Sequence, residues 1–311
     1  MSLFLFEITK KLLTNWLICS ILKIRECKQV RYYAVFFAQE REARCENVSF
    51  SFDFISEVPM PRFFVNSDRI VDGKVYLDGD NAHHISHSLR MAEGERITVC
   101  DMQAYEYDCV LESFSAQSVT ARITEKRKIE NEPPYRAHLY QALPKGDKLD
   151  TVIQKAVECG AYDITPFESS RCIVKAKAEA EDKKTERRLR IATEAAKQCG
   201  RGILPRVYPT VSFDRMLDSI KACDLVLFCY EGEGTVPLGK LLAERLPQLL
   251  ENENIPDIAV VIGSEGGFSP EEAERICDLG VLPVGLGKRI LRTETASGFA
   301  LACLVLATEL S

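Results

Sequence analysis

The pattern of apolar and polar positions changes character near residue 130. From Pro61 to about Lys128 the apolar stretches are short and separated by tight turns. Arg62–Val65, Val75–Leu77, Arg96–Cys100, Tyr105–Leu111 and Ser118–Ile123 are strand candidates. Asp72-Gly73, Asp78-Gly79 and Glu93-Gly94 supply the turn chemistry between them, and one helical piece, Ala82–Met91, interrupts the series. The pattern predicts a small β-barrel. Glu130-Asn131-Glu132-Pro133-Pro134 then reads as a linker.

From Arg136 onward strands and helices alternate. Strands are predicted at Ala137–Leu143, Tyr162–Phe167 and Leu225–Tyr230, and helices at Asp147–Cys159, Lys183–Gln198 and Val236–Leu250. Alternation of this kind predicts an α/β fold with a parallel sheet covered on both faces. The charged run Lys175–Arg190 reads as the solvated face of a helix.

Two blocks close the chain. Ile258–Ile262 is a β-branched run that leads into Gly263, Gly266 and Gly267, after which Ser269-Pro270-Glu271-Glu272 reads as N-cap, N1 proline and acidic first turn. Val284 starts a second short strand, followed by the Gly285-Leu286-Gly287 bend and a helix from Thr293 toward Leu310. Two such strand–glycine–helix corners can build one pocket at the carboxyl ends of parallel strands. The glycine spacing is not that of a dinucleotide fingerprint. Nor is it a Walker loop, because Gly287-Lys288 is followed by Arg289 rather than a hydroxyl residue.

Composition narrows the field. The 311 residues suffice for two modest domains, and 46% hydrophobic with 28% charged residues is ordinary for a soluble protein. A net charge of −6 argues against a protein that coats nucleic acid nonspecifically, yet leaves room for a local basic face. The 12 cysteines include no C-x-x-C, and the histidines stand only at 83, 84, 87 and 138. No zinc or other metal is therefore expected, and the thiols read as mostly buried in a reducing cytoplasm. No apolar run approaches the roughly 20 residues that span a bilayer, so no membrane partner is expected. Residues 1–59 fit neither a secretion signal, since Lys10 and Lys11 interrupt it, nor an acid-poor transit peptide. They are expected to be an extension from a start codon chosen too far upstream, or a disordered appendage.

The chain resembles the RsmE family of SPOUT-class RNA methyltransferases, which methylate N3 of a uridine in 16S ribosomal RNA. The resemblance runs from about Met60 to the end. Its motifs are MPRFFV from Met60, HHISHSLRMAEGE from His83, LPKGDKLDTVIQKAVECG from Leu143, SSRCIVK from Ser169, EAAKQCGR from Glu194, GSEGGFS from Gly263 and LGKRILRTETA from Leu286. Ser264 stands where the family usually has proline, which loosens the turn, and Ser88 where valine usually precedes Leu-Arg.

The resemblance implies a PUA-like RNA-binding domain over 60–130 and a SPOUT domain over 131–311 with a C-terminal trefoil knot. It also implies S-adenosylmethionine as cofactor and a homodimer. The cofactor residues map onto Gly263, Glu265, Gly266, Leu286, Gly287, Ile290, Leu291 and Ala296. There the glycines let backbone approach the adenosine, and Leu286, Ile290 and Leu291 form an apolar clamp for adenine, with plain core packing as the competing reading. Arg292 and Glu294 fall at the reacting end. Arg292 stabilises a developing uracil anion or holds a phosphate, and Glu294 accepts the N3 proton or orients the arginine. A structural Arg–Glu pair at a helix start is the plain alternative. Arg62, His84, Arg90, Lys145, Lys148, Arg171 and Arg201 lie in family motifs as candidate contacts to 16S RNA in the small ribosomal subunit. Two other functions stay open: a SPOUT methyltransferase acting on another RNA such as transfer RNA, and a noncatalytic RNA-binding factor.

Overall fold

Short turns, rather than long helices, shape the first part of the chain. The computed structural model describes residues 60–115, 117–175, 178–252 and 254–310, so the expectation about residues 1–59 lies outside the described residues. Six strands, β1 (Arg62–Phe64), β2 (Ile70–Val71), β3 (Lys74–Asp78), β4 (Arg96–Cys100), β5 (Tyr105–Phe114) and β6 (Ser118–Lys128), form one sheet in the order β1-β4-β5-β6-β3-β2. Asp72 and Gly73, both with positive φ, make the two-residue turn between β2 and β3 that favours a right-twisted hairpin. Phe63, Leu77, Ile97 and Leu111 pack into the core of this sheet. Helix α1 (Gly79–His83) continues as a wider turn through His84–Ser88. It starts earlier than the predicted Ala82–Met91, and it stops earlier because Arg90 adopts φ +53°, a left-handed residue that ends the helix.

The second sheet has strands β7 (Arg136–Ala142), β8 (Ala161–Glu168), β9 (Arg206–Val207), β10 (Val211–Ser212), β11 (Leu225–Cys229), β12 (Val236–Pro237), β13 (Asp257–Ile262) and β14 (Pro283–Gly285). Its order is β10-β8-β7-β13-β11-β14-β12, with β9 beside β8, and every pairing is parallel. The helices are α2 (Lys148–Glu158), α3 (Ala178–Cys199), α4 (Phe213–Ile220), α5 (Leu238–Leu250), α6 (Pro270–Cys277) and α7 (Thr293–Thr308). The β-branched run of β13 sits between β7 and β11, with Ile258, Val260 and Val261 fully buried. A strand covered on both faces needs no polar alternation, which explains its unbroken apolar text. Because β13 inserts between β7 and β11, the chain crosses over there, and the carboxyl ends of β11, β13 and β14 open on one crevice.

Helix α3 is solvated along most of its charged stretch, as predicted, but two of its charges turn inward. Arg188 pairs with Glu181 at 2.7 Å, both side chains are buried, and Thr210 donates to the same carboxylate. Of the described cysteines none is disulfide-bonded, and Cys199 and Cys277 are exposed rather than buried. Among the described residues no helix is long and apolar enough to cross a membrane, and no group of three side chains is placed to hold a metal.

The two sheets are tied through the predicted linker. The Glu132 carboxylate accepts from Nε and Nη2 of Arg201 and from the backbone N–H groups of Gly202 and Ile203. Gly160 has φ +83°, and a Cβ there would lie 2.7 Å from the Pro133 ring, so only glycine lets the linker seat itself.

Candidate functional site

Three loops leave the carboxyl ends of neighbouring strands and enclose a cavity of about 220 Å³. Tyr230, Glu231 and Thr235 come from the loop after β11, Gly263, Ser264, Gly267 and Phe268 from the loop after β13, and Leu286 through Leu291 from the loop after β14. Ala296, in the first turns of α7, closes the wall. The floor is aromatic: Phe268 meets Phe228 edge-on with ring centroids 5.1 Å apart and stacks on Phe167 at 6.3 Å. Burial pushes the Cys229 thiol up to about 12, so this wall residue is neutral.

Backbone conformation makes the space. A Cβ on Gly263 would lie 3.0 Å from the Phe268 ring and 3.1 Å from the Gly267 Cα. Gly267 (φ +65°) closes a tight turn, its N–H donating to the Ser264 carbonyl at 3.0 Å. The serine that replaces the family's proline thus keeps the turn closed. Its hydroxyl also reaches the Arg171 carbonyl at 3.4 Å, a contact proline cannot make. The loop then enters α6 through a capping box in which Ser269 and Glu272 satisfy each other's backbone N–H. Glu272 also accepts from the Ser170 N–H, tying down the loop that carries Arg171.

Of the expected cofactor residues, Gly263, Leu286, Gly287, Ile290, Leu291 and Ala296 line the cavity. Ile290 is 84% exposed, which rules out core packing for it and leaves an apolar side chain standing at the rim. Glu265 and Gly266 do not line the cavity. Both carboxylate oxygens of Glu265 accept from the Lys145 backbone N–H, and Oε1 also takes the Lys148 ammonium at 2.7 Å. Gly266 faces Arg171, whose Nη1 donates to its carbonyl at 3.0 Å. The loop after β11 was missed in the sequence as a site element. Its signal was present, because Leu225–Cys229 runs into Tyr230-Glu231-Gly232-Glu233-Gly234, a third strand–glycine corner.

Arg292 and Glu294 lie at the start of α7, just outside the cavity. Thr293 between them is buried, donates to the Gly263 carbonyl at 2.6 Å and accepts from Gln141 Nε2 at 2.9 Å. That pair of bonds fixes the helix start to the glycine loop. Glu294 Oε2 is enclosed and has no hydrogen-bond partner among the described residues, while Lys148 Nζ stands 3.7 Å from it. A buried oxygen without a partner costs about 1–3 kcal/mol, so it invites a functional reason. Arg292 is exposed and forms no side-chain bond among the described residues. The two therefore do not form the structural Arg–Glu pair held open above. The hydrogen bond from Lys148 holds Lys148 above the usual lysine range. Burial works against the charge on Glu265, but the Lys148 and backbone donors outweigh it and keep that carboxyl below its usual range.

The expected RNA contacts divide. Arg90, Lys145 and Arg171 are exposed. Lys148 is held within the carboxylate cluster. Arg62 turns inward onto Glu106 at 2.7 Å and Cys100 Sγ at 2.9 Å. Arg201 is 5% exposed, with Nη1 on the carbonyls of Val157 and Ala161 and the rest of the fork on Glu132, which places it in the scaffold. His84 sits at the boundary between the sheets, 3.4 Å from Lys197 Nζ and edge-on to Phe63. Burial first, and then Lys197, hold its imidazole below the ordinary value.

Comparison with known proteins places this geometry. The family described as an RNA methyltransferase domain matches residues 131–305, and the RNA methyltransferase PUA domain matches residues 77–124. The chain is similar to the ribosomal RNA small subunit methyltransferase E of Bacillus subtilis, 34% identical over 81% of this chain and 98% of that protein. It is 31% identical to the protein of the same name from Synechocystis, over 78% of this chain and 76% of that one. Among solved structures it is similar to the ribosomal RNA small subunit methyltransferase E of Neisseria gonorrhoeae bound to S-adenosyl methionine. That likeness has a TM-score of 0.67 at 29% identity, covering 79% of this chain and 97% of the other.

Proposed function

This chain belongs to the RNA methyltransferase family of the ribosomal RNA small subunit methyltransferases E, and on that premise we propose that it methylates N3 of a uridine in the 16S RNA of the small ribosomal subunit. S-adenosylmethionine is the cofactor, and when bound it supplies a methyl group on a sulfonium. The cavity suits such a molecule: glycine backbone at Gly263 and Gly287, an aromatic floor, and Leu286, Ile290 and Leu291 as an apolar clamp for the adenine.

The observation that carries the reaction is the position of Glu294. Its unpartnered Oε2 lies at the start of the helix whose Ala296 walls the cofactor cavity, yet outside that cavity. An in-line transfer brings the acceptor in from outside the donor's pocket, and a position beside that pocket supports assigning Glu294 to the acceptor side. There Glu294 takes the N3 proton, and Arg292 stabilises the negative charge that develops on the uracil oxygens. Arg90, Lys145 and Arg171 contact RNA phosphates.

The same reading carries the rest of the architecture. Residues 60–130 form the PUA-like domain and 131–311 the SPOUT domain, with the crossover at β13 belonging to a trefoil knot. The protein works in the cytoplasm as a homodimer. In support, α7 is apolar around its circumference and leaves Phe299 and Leu306 exposed.

The test uses the purified full chain, labelled S-adenosylmethionine and small ribosomal subunits from a strain lacking this gene, followed by nucleoside mass spectrometry. Label is expected as N3-methyluridine in 16S RNA. Cofactor binding with unlabelled subunits would move the substrate to another RNA such as transfer RNA. Absence of cofactor binding would leave a noncatalytic RNA-binding factor.

A further inference from the structure

Lys148 begins α2 and lies between two carboxylates that come from different parts of the chain. Glu265, from the glycine loop after β13, is 2.7 Å from its ammonium, and Glu294, from the first turn of α7, is 3.7 Å away. Glu265 is itself gripped at the amino end of α2, where the Lys145 N–H reaches both of its oxygens at 3.1 and 3.2 Å. A carboxylate at that end of a helix also meets the favourable end of the helix dipole. The turn Lys145–Lys148 therefore holds Glu265 by its backbone and by its last side chain together.

We propose that Lys148 is a positioning residue for methyl transfer: anchored by Glu265, it holds the Glu294 carboxylate in place while leaving Oε2 without a hydrogen bond. The two distances carry the distinction. At 2.7 Å Glu265 receives the hydrogen bond, whereas at 3.7 Å Glu294 receives the field of the cation without a hydrogen bond. A base whose lone pair was already bonded to an ammonium would compete poorly for the N3 proton. The charged groups around Lys148 are Glu265 in the β13 loop and Glu294 and Arg292 at the start of α7. Arg292 is exposed, so only Lys148 is fixed against the Glu294 carboxylate.

This inference rests on Glu294 being the base, and the experiment separates the two. Single-turnover and steady-state methylation of small subunits by the full chain are compared for K148M, K148R and E294Q. In K148M the kcat is expected to fall about 10- to 100-fold, a part of the 10²–10⁴ that a positioned base contributes. Cofactor affinity stays within about threefold, KM for subunits changes little, and K148R restores most of the rate. A K148M enzyme with unchanged kcat but a raised KM for subunits would make Lys148 a phosphate contact and overturn the inference alone, provided E294Q is inactive. Near-normal activity of E294Q would remove the base, and this inference with it.

Discussion

Arg201 and Glu132 form a forked ion pair, with Nη2 to Oε2 at 2.6 Å and Nε to both oxygens at 2.9 Å, and the arginine is 5% exposed. Arg201 also donates to the carbonyls of Val157 and Ala161, so one side chain ties the linker to the ends of α2 and β8. Removing either partner strands the other charge. R201M and E132Q are each expected to destabilise the protein by about 3–5 kcal/mol, the usual cost of breaking a buried pair. Urea unfolding measures this, while the salt dependence of RNA binding by R201M, compared below its unfolding temperature, should keep the native slope. A slope lowered by about one would return Arg201 to the RNA interface.

At the opposite ends of the strands, His138 on β7 is held between Asp163 at Nδ1 and Asp257 at Nε2, both at 2.9 Å. Burial disfavours its charged form, but the two carboxylates outweigh burial and raise its pKa above the ordinary value. Arg136 lies 3.6 Å from Asp257, and the Tyr162 ring packs edge-on to the imidazole. A raised pKa means that the folded state binds the proton more tightly than the unfolded state. The contribution is complete below about pH 6.5, the unfolded value, and is lost as pH rises through the folded value. Unfolding free energy measured from pH 6 to 9 should decline over that window, and H138Q should flatten the decline. An unchanged pH slope in H138Q would place the dependence elsewhere.

Much of this architecture was legible in the chain because its signals are local. β13 reads as a buried strand from its own β-branched residues, and Ser269-Pro270 marks the start of α6 from capping chemistry alone. Helix α4 was overlooked although Phe213, Met216, Leu217 and Ile220 fall on one buried face. It is only 8 residues long, and its polar neighbours obscure the period. The site was legible as a set of motifs but not in its internal wiring. Glu265 and Lys148 are 117 positions apart, and no spacing rule indicates that one turns away from the cavity to grip the other. Arg201 and Arg62 look like surface cations in the text, and only packing reveals their partly buried carboxylate partners. The third wall, after β11, depends on a strand order in which β11 adjoins both β13 and β14.

Gly263, a proposed cofactor contact, sits where there is little room for a side chain. A methyl group there would press on the Phe268 ring at 3.0 Å and on the backbone of Gly267 at 3.1 Å, and the backbone has little freedom to withdraw. The Gly263 carbonyl also accepts the Thr293 hydroxyl, so any shift travels to the start of α7. G263A is expected to weaken cofactor binding by about tenfold or more, equivalent to about 1.4 kcal/mol. Isothermal titration with S-adenosylmethionine reads this directly. Native affinity in G263A would mean that the cofactor does not lie against this glycine.

Two roles are open to Arg292 under the proposed reaction, a phosphate contact or stabilisation of the uracil anion. It is exposed, has no side-chain partner among the described residues, and adjoins Thr293, which is locked to Gly263. A phosphate contact acts equally on bound substrate and transition state, so its loss raises KM and leaves kcat alone. Stabilisation of the uracil anion acts only as charge develops, so its loss lowers kcat. R292M is expected to lower kcat by about 10²–10³-fold, the range found for a single group aimed at developing charge, with a much smaller change in KM. R292K should recover part of the rate, because an ammonium supplies the charge without the planar fork. Rapid-mix single-turnover methylation measures the chemical step without product release. If R292M instead shows a native single-turnover rate and a raised KM, Arg292 belongs with Arg90, Lys145 and Arg171 as a grip on the RNA backbone. The uracil anion would then be stabilised by another group.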